Sequence, residues 1–311
     1  MTLFRKHLFL PAVLLLLAIL TECSVEKESG TGGILVSTQW LDDRRSDADL
    51  VILHSGSEAL FDSIHIPGAR LIIPANFTVN TSVRRNELPP ADSIAELLRR
   101  VGVNENSRII LYYENTRLIS RTARVFLTLD YLGLGGRTFV LDGGLPAWTG
   151  EGRETTHIAS DFSYGTLAAL EPGEVVIQAD ALEKQRWSPE VVVLDTRSEE
   201  EYYGTPGTPE SPVEGGHIEG AYFFPYQSIL QEKHNYLFKS DAALKELFLD
   251  AEMDPGKVSI VYCGSGIRAS VTYLAAKHLG YPVLLYDGSY EEWKKLNLPL
   301  TSPVALPMSS E

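Results

Sequence analysis

The chain has 311 residues, 44% hydrophobic and 22% charged, with a formal net charge of −14 at pH 7. That length exceeds one ordinary core and suits two domains of ordinary size, and the composition is that of a globular chain. The negative balance argues against nucleic acid or an anionic membrane surface as a partner, and it obliges any anionic substrate to find a local positive site.

The first 23 residues read as an export signal rather than part of the fold. Arg5, Lys6 and His7 form a basic start, and the apolar segment Leu8 to Leu20 is thirteen residues long. A membrane span needs about 20 apolar residues, so a signal fits better. Leu20-Thr21-Glu22-Cys23 resembles a bacterial lipoprotein processing site, with Glu22 where a small residue is expected. The expectation is an exported protein, periplasmic or membrane-anchored, touching the membrane only through this leader or a lipid on Cys23. Residues 24–33 form a polar tether.

From Ile34 onward strands and helices alternate. Asp49–His54, Arg108–Tyr113 and Thr138–Leu141 read as strands, and Ser93–Val101 and Thr122–Leu132 as helices. His65-Ile66-Pro67-Gly68-Ala69 marks a turn after the first strand, and Asp142-Gly143-Gly144-Leu145-Pro146-Ala147-Trp148 follows the third. The stretch from about Thr149 to Leu170 lacks periodicity and reads as an interdomain connection. The same order then repeats, with strands at Val191–Leu194, Val258–Tyr262 and Val283–Tyr286 and helices at Asp241–Leu249 and Ala269–Leu279. His217-Ile218-Glu219-Gly220-Ala221 answers HIPGA at an offset of 152 residues, and Asp287-Gly288 answers Asp142-Gly143 at 145. Two anchors in the same order indicate a duplicated α/β unit, each copy a parallel sheet flanked by helices. His65, His217, Asp142 and Asp287 read as fold residues that fix turns by side chain to backbone hydrogen bonds.

The chemistry concentrates at Cys263. It ends a strand and is followed by Gly264, Ser265, Gly266, Ile267 and Arg268, then by a helix. Open α/β sheets place their sites at such strand-to-helix turns. A tight glycine-rich turn lets several backbone N–H groups converge on one atom. The helix N-terminus and Arg268 add positive charge, favouring a thiolate over a thiol. Aligning the two halves puts Tyr113, then Glu114 and Asn115, where the second half has Cys263. One copy therefore has the apparatus for chemistry and the other lacks it. With the other cysteine beside the leader, no disulfide framework is expected.

These residues resemble the tandem-domain rhodaneses, the thiosulfate and 3-mercaptopyruvate sulfurtransferases. The resemblance rests on HIPGA and HIEGA, DGGLPAW and DGSYEEW, the loop CGSGIR, and DTRSEEEYYGTPGTPESPVEGGHIEG. It implies a non-catalytic rhodanese-like domain at residues 34–150, a linker at 151–172, a catalytic rhodanese-like domain at 173–300 and a tail at 301–311. It also implies a persulfide on Cys263, cradled by Gly264 to Arg268, that passes sulfane sulfur from a small anionic donor to a thiol or cyanide, without cofactor or metal. Arg268 would dock the donor or favour the thiolate, its alternative being a structural ion pair. Ser265 would hydrogen-bond substrate or satisfy the loop.

Two departures bear on the donor. Where family members carry substrate-binding arginines, the alignment places Glu201 and Glu210, which would repel a carboxylate or sulfonate. The family's loop also usually ends in threonine, whereas Arg268 stands here. Thiosulfate, a persulfide or a polysulfide is therefore expected in preference to mercaptopyruvate. Other readings fit less well. A cysteine phosphatase or arsenate reductase needs a longer loop than the four residues between Cys263 and Arg268. A dinucleotide fingerprint through Gly264, Gly266 and Ala269 leaves Cys263 without a role. An inactive rhodanese pair kept for binding or sensing is the non-enzymatic alternative.

Overall fold

The computed structural model describes residues 33–301 apart from 83, 205–214 and 235–236. The export leader with Cys23, nearly all of the tether, Glu210, and the tail beyond Thr301 lie outside the described residues.

The first half runs β1 (Leu35–Val36), α1 (Thr38–Arg44), β2 (Leu50–Ser55), α2 (Glu58–Ser63), β3 (Arg70–Ile72), α3 (Ala91–Arg100), β4 (Arg108–Tyr113), α4 (Ile119–Tyr131), β5 (Thr138–Leu141) and α5 (Gly144–Gly150). The second runs β6 (Val176–Ile177), α6 (Ala179–Gln185), β7 (Val191–Asp195), α7 (Glu199–Tyr203), β8 (His217–Ile218), β9 (Tyr222–Phe223), α8 (Asp241–Asp250), β10 (Val258–Tyr262), α9 (Ala269–His278), β11 (Val283–Tyr286), α10 (Ser289–Lys295) and β12 (Leu300–Thr301). Two five-stranded parallel sheets result, ordered β1-β5-β4-β2-β3 and β6-β11-β10-β7-β9. The orders match position for position, as a duplication requires, and β12 pairs antiparallel with β8. The central strands are continuous apolar runs buried along almost their whole length, because helices cover both faces.

The longer expected helices shift by up to three residues at their ends: α4 begins at Ile119, not Thr122. The short elements were not visible in the sequence pattern. Helices such as α2 and α7, of six and five residues, are too brief for a 3.6-residue period to show. Their starts are set by side-chain caps instead, Ser57 for α2 and Ser198 for α7.

The repeated histidines do what the sequence suggested. His65 stacks on Phe61 and its Nδ1 lies 2.6 Å from the Phe61 carbonyl; His217 stacks on Tyr202 and its Nδ1 lies 3.2 Å from the Tyr202 carbonyl. The repeated aspartates do something else. Asp142 accepts a 2.9 Å hydrogen bond from the Phe238 N–H of the other domain, and Asp287 pairs with Arg124 of the other domain at 2.6 Å. They tie the two halves together, a long-range role that no local pattern encodes.

The seam is built on α4 and α9. Eight residues in a row, Thr122 to Leu129, are buried on α4, and eight more, Ala269 to Ala276, on α9. Helices buried all round have protein on both sides: each lies against its own sheet and against the other helix, so the two cores merge into one. Asp130 accepts from Tyr273 at 2.5 Å and pairs with Lys277 at 3.0 Å. Arg124 is the one charge at the heart of the seam, only 1% exposed, with Asp287 at 8%. Its Nη1 meets Asp287 at close range but off the hydrogen-bond axis, while Nη2 donates to the Asn86 carbonyl at 2.6 Å. Removing one partner of a buried pair strands the other charge. Arg124→Met should therefore cost about 3–5 kcal/mol of stability in urea unfolding; a loss below about 1 kcal/mol would mean the pair behaves like an exposed one.

Candidate active site

Cys263 follows β10 directly and is 1% exposed. Beneath it the strand ends in Tyr262, whose hydroxyl donates to Asp195 Oδ2 at 2.8 Å and accepts from the Ile218 N–H at 3.0 Å. Burial holds the Tyr262 phenol well above its ordinary pKa, so it stays protonated. Asp195 is clamped by Arg197, whose guanidinium lies flat against the Tyr290 ring 3.7 Å from its centroid. The floor of the site is thus a closed network that leaves Asp195 no freedom to act elsewhere.

The loop from Cys263 to Arg268 is anchored almost entirely through its carbonyls. Cys263 O accepts from Tyr290 N at 3.0 Å and Gly264 O from Glu291 N at 3.2 Å. Ser270 Oγ donates to Gly266 O at 2.8 Å. Ile267 O and Arg268 O accept from Ser270 N and Val271 N, the first turn of α9. The Cys263 N–H donates to Ser289 Oγ at 3.3 Å. By contrast, among the described residues no protein acceptor takes the N–H groups of Gly264, Ser265, Gly266, Ile267 or Arg268. With carbonyls tied outward and amides unclaimed, five donors are left for an anion at the head of a helix. Gly266 makes the turn possible: its φ is +82°, and a Cβ there would stand 3.0 Å from Arg124 Nη1 and 3.1 Å from Asp287 Oδ1.

The first half supplies part of this site. Asn86, held at a positive φ of 57°, donates from Nδ2 to Ser265 Oγ at 3.0 Å. Arg85 pairs with Glu291, and Arg84 with Glu292 at 3.4 Å and Glu87 at 3.3 Å. Nothing in the CGSGIR motif pointed to Asn86, Arg84, Arg85 or Arg124; the only trace in the sequence is a paired-arginine loop in the other half. Ser265 thus has a protein partner, which favours its loop-satisfying role.

Arg268 caps α9, and its side chain forms a two-pronged ion pair with Glu201, at 2.6 and 2.7 Å. Burial raises the Glu201 carboxyl, but the Arg268 hydrogen bonds, the Ser198 amide and the charges of Arg268 and Arg197 outweigh it and bring its pKa down to about 2. The Glu201 hydrogen bonds in turn raise Arg268 above its ordinary pKa, against burial. The ion pair expected as the alternative role of Arg268 is the one present.

The counterpart in the first half is filled. Tyr113 stands where Cys263 does, and its hydroxyl accepts from the Gly143 N–H at 2.9 Å. A Cβ on Gly144 would lie 2.6 Å from the Tyr113 ring, so the two are closely fitted. Glu114 accepts from Ser57 N at 2.7 Å and lies 3.4 Å from His54, whose pKa burial lowers. No group of three His, Cys, Asp or Glu among the described residues could hold a metal ion.

Two outcomes follow for the loop. Gly266→Ala should cost about 1–2 kcal/mol in unfolding experiments, because an L-residue is strained at that φ. The Glu201 carboxyl has an ordinary pKa of 4.5 and a folded value of about 2, so its stabilising contribution is full above 4.5 and is lost as pH falls towards 2. The urea-midpoint advantage of wild type over Glu201→Gln should shrink across that acid window and stay flat above it.

The comparisons agree with this geometry. The rhodanese-like domain family matches residues 37–151 and 178–296. A thiosulfate sulfurtransferase of Corynebacterium glutamicum is 28% identical over 272 residues, which cover 83% of this chain and 87% of that protein. The human 3-mercaptopyruvate sulfurtransferase is 29% identical over 280 residues, covering 83% and 91%. A crystal structure of a 3-mercaptopyruvate sulfotransferase from Escherichia coli superposes with a TM-score of 0.70 at 24% identity, over 83% of this chain and 99% of that one. The chain belongs to the rhodanese-like family and carries its domain twice, in the manner of these sulfurtransferases.

Proposed function

We propose that the protein is a sulfurtransferase that carries sulfane sulfur as a persulfide on Cys263, taking it from thiosulfate, a persulfide or a polysulfide and passing it to a thiol or cyanide. The observation that carries this reading is the row of unclaimed amides from Gly264 to Arg268 around a buried cysteine at a helix N-terminus. A thiolate there attacks the outer sulfur of the donor. With thiosulfate, the Cys263 sulfur bonds to the sulfane sulfur, the S–S bond of thiosulfate breaks, and sulfite leaves with the electron pair. The product Cys–S–S⁻ keeps one negative charge on its terminal sulfur, and preorganised N–H donors stabilise such charge where it develops. An acceptor thiolate or cyanide then attacks the terminal sulfur and frees the Cys263 thiolate.

The two-pronged Glu201–Arg268 pair supports a second reading, a rhodanese pair retained for binding or sensing, since Arg268 is engaged before any substrate arrives. Intact-protein mass without reductant separates the two. Wild type incubated with thiosulfate, mercaptopyruvate or polysulfide should gain the mass of one sulfur and lose it to cyanide or a thiol. Cys263→Ala should gain nothing. Failure of wild type to gain sulfur from any of these donors would leave the binding module.

A further inference from the structure

The mouth of the Cys263 loop is electrically closed. Arg268 stands at the head of α9, at the end of the loop that Cys263 begins, and both prongs of its guanidinium are held by Glu201. Neither side chain is fully buried, at 30% and 38% exposed, so both are open to solvent beside the loop. The neighbouring cations are engaged as well: Arg85 with Glu291, Arg84 with Glu87 and Glu292, and Arg197 with Asp195. Around Gly264, a built Cβ would find Arg268 Nη2 at 3.5 Å and Glu291 Oε1 at 4.0 Å, a cation and a carboxylate on the same rim. Each of these positive charges is thus paired with a negative one, on a chain whose net charge is −14.

We propose that Glu201 is the specificity-determining residue of the site: by occupying Arg268 it disfavours donors that present a sulfonate or carboxylate and selects alkyl persulfides with an uncharged far end. The proposal rests on the sulfur-transfer reading and narrows its donor. A sulfonate or carboxylate must displace a carboxylate already bound in the planar two-pronged geometry that guanidinium favours. A persulfide needs no such cation. The Cys263 thiolate attacks the terminal sulfur of R–S–S–H, a bond forms between the Cys263 sulfur and that sulfur, and the donor's S–S bond breaks. R–S⁻ leaves with the electron pair and the hydrogen stays on the transferred sulfur. Charge and electrons balance without any oxidant, and the loop amides suffice for the persulfide formed.

Glu201→Gln isolates the charge. Glutamine keeps the size and still accepts from the Ser198 N–H, completing the capping box that starts α7. The test on the full chain compares alkylation of Cys263 by iodoacetate, which carries a carboxylate, with alkylation by neutral iodoacetamide. The same thiolate attacks both reagents and displaces iodide, so their rate ratio reports charge selectivity whatever fraction of thiolate is present. The ratio should rise about tenfold in Glu201→Gln, equivalent to about 1.4 kcal/mol, and the gain should weaken with added salt. It should vanish in Glu201→Gln/Arg268→Met, and Arg268→Met alone, with Glu201 unpaired, should fall below wild type. In persulfide loading, the KM for thiosulfate and mercaptopyruvate should drop by a similar factor in Glu201→Gln, while that for 2-mercaptoethanol persulfide moves less than about twofold. An unchanged ratio in Glu201→Gln, or a rise that survives loss of Arg268, would overturn the proposal. If the ratio responds as expected but no donor loads sulfur on any variant, the charge selectivity stands and the sulfur-transfer reading falls.

Discussion

The buried Arg124–Asp287 pair is the constraint on which the Cys263 loop depends. Arg124 rises from α4 of the first half, Asp287 from the turn before α10 of the second, and Gly266 passes within van der Waals reach of both. A charge this deep is tolerated only because it is partnered, and its second nitrogen holds the Asn86 carbonyl. Asn86 then reaches Ser265. One guanidinium therefore sets the position of the loop from behind and of its covering segment from the side. The half without a nucleophile acts as the other half's scaffold.

That division of labour explains how a duplication can lose one site and keep both domains. In each half a buried tyrosine, Tyr112 or Tyr262, accepts from the isoleucine N–H of the histidine-containing turn, at 3.2 and 3.0 Å. The residue that follows decides the chemistry. A tyrosine stands in the first copy, accepting from the Gly143 N–H and packing closely on Gly144. A cysteine in the second is small enough to leave the amides of its loop uncovered. The merged core at the seam keeps the first copy indispensable, since each of α4 and α9 would expose buried apolar residues without the other.

The electrostatics of the mouth distinguish this chain from a simple anion site. A helix N-terminus and five unclaimed amides favour negative charge at one point, close to the sulfur. A few ångströms outward the balance is neutral, because each arginine there has a carboxylate. The arrangement can hold the charge of a persulfide without drawing in every oxyanion in solution. Under the proposed function, selectivity and catalysis fall to different parts of one small site.

The residues alone determined the alternation of strand and helix, the duplication, and the cysteine at a glycine-rich turn. All of these are local or periodic: buried parallel strands need apolar runs, a left-handed turn needs Gly266, and repeated anchors keep their order. The partnership of Glu201 with Arg268, of Asp287 with Arg124, and of Asn86 with Ser265 was decided only by tertiary structure. These pairs span 67, 163 and 179 positions, set by how the halves dock and how α7 meets the loop. Sequence marked Glu201 as an acid where a cation was expected. It could not show that the acid and the displaced cation meet, because no pattern of neighbours encodes a contact that the packing of distant elements creates.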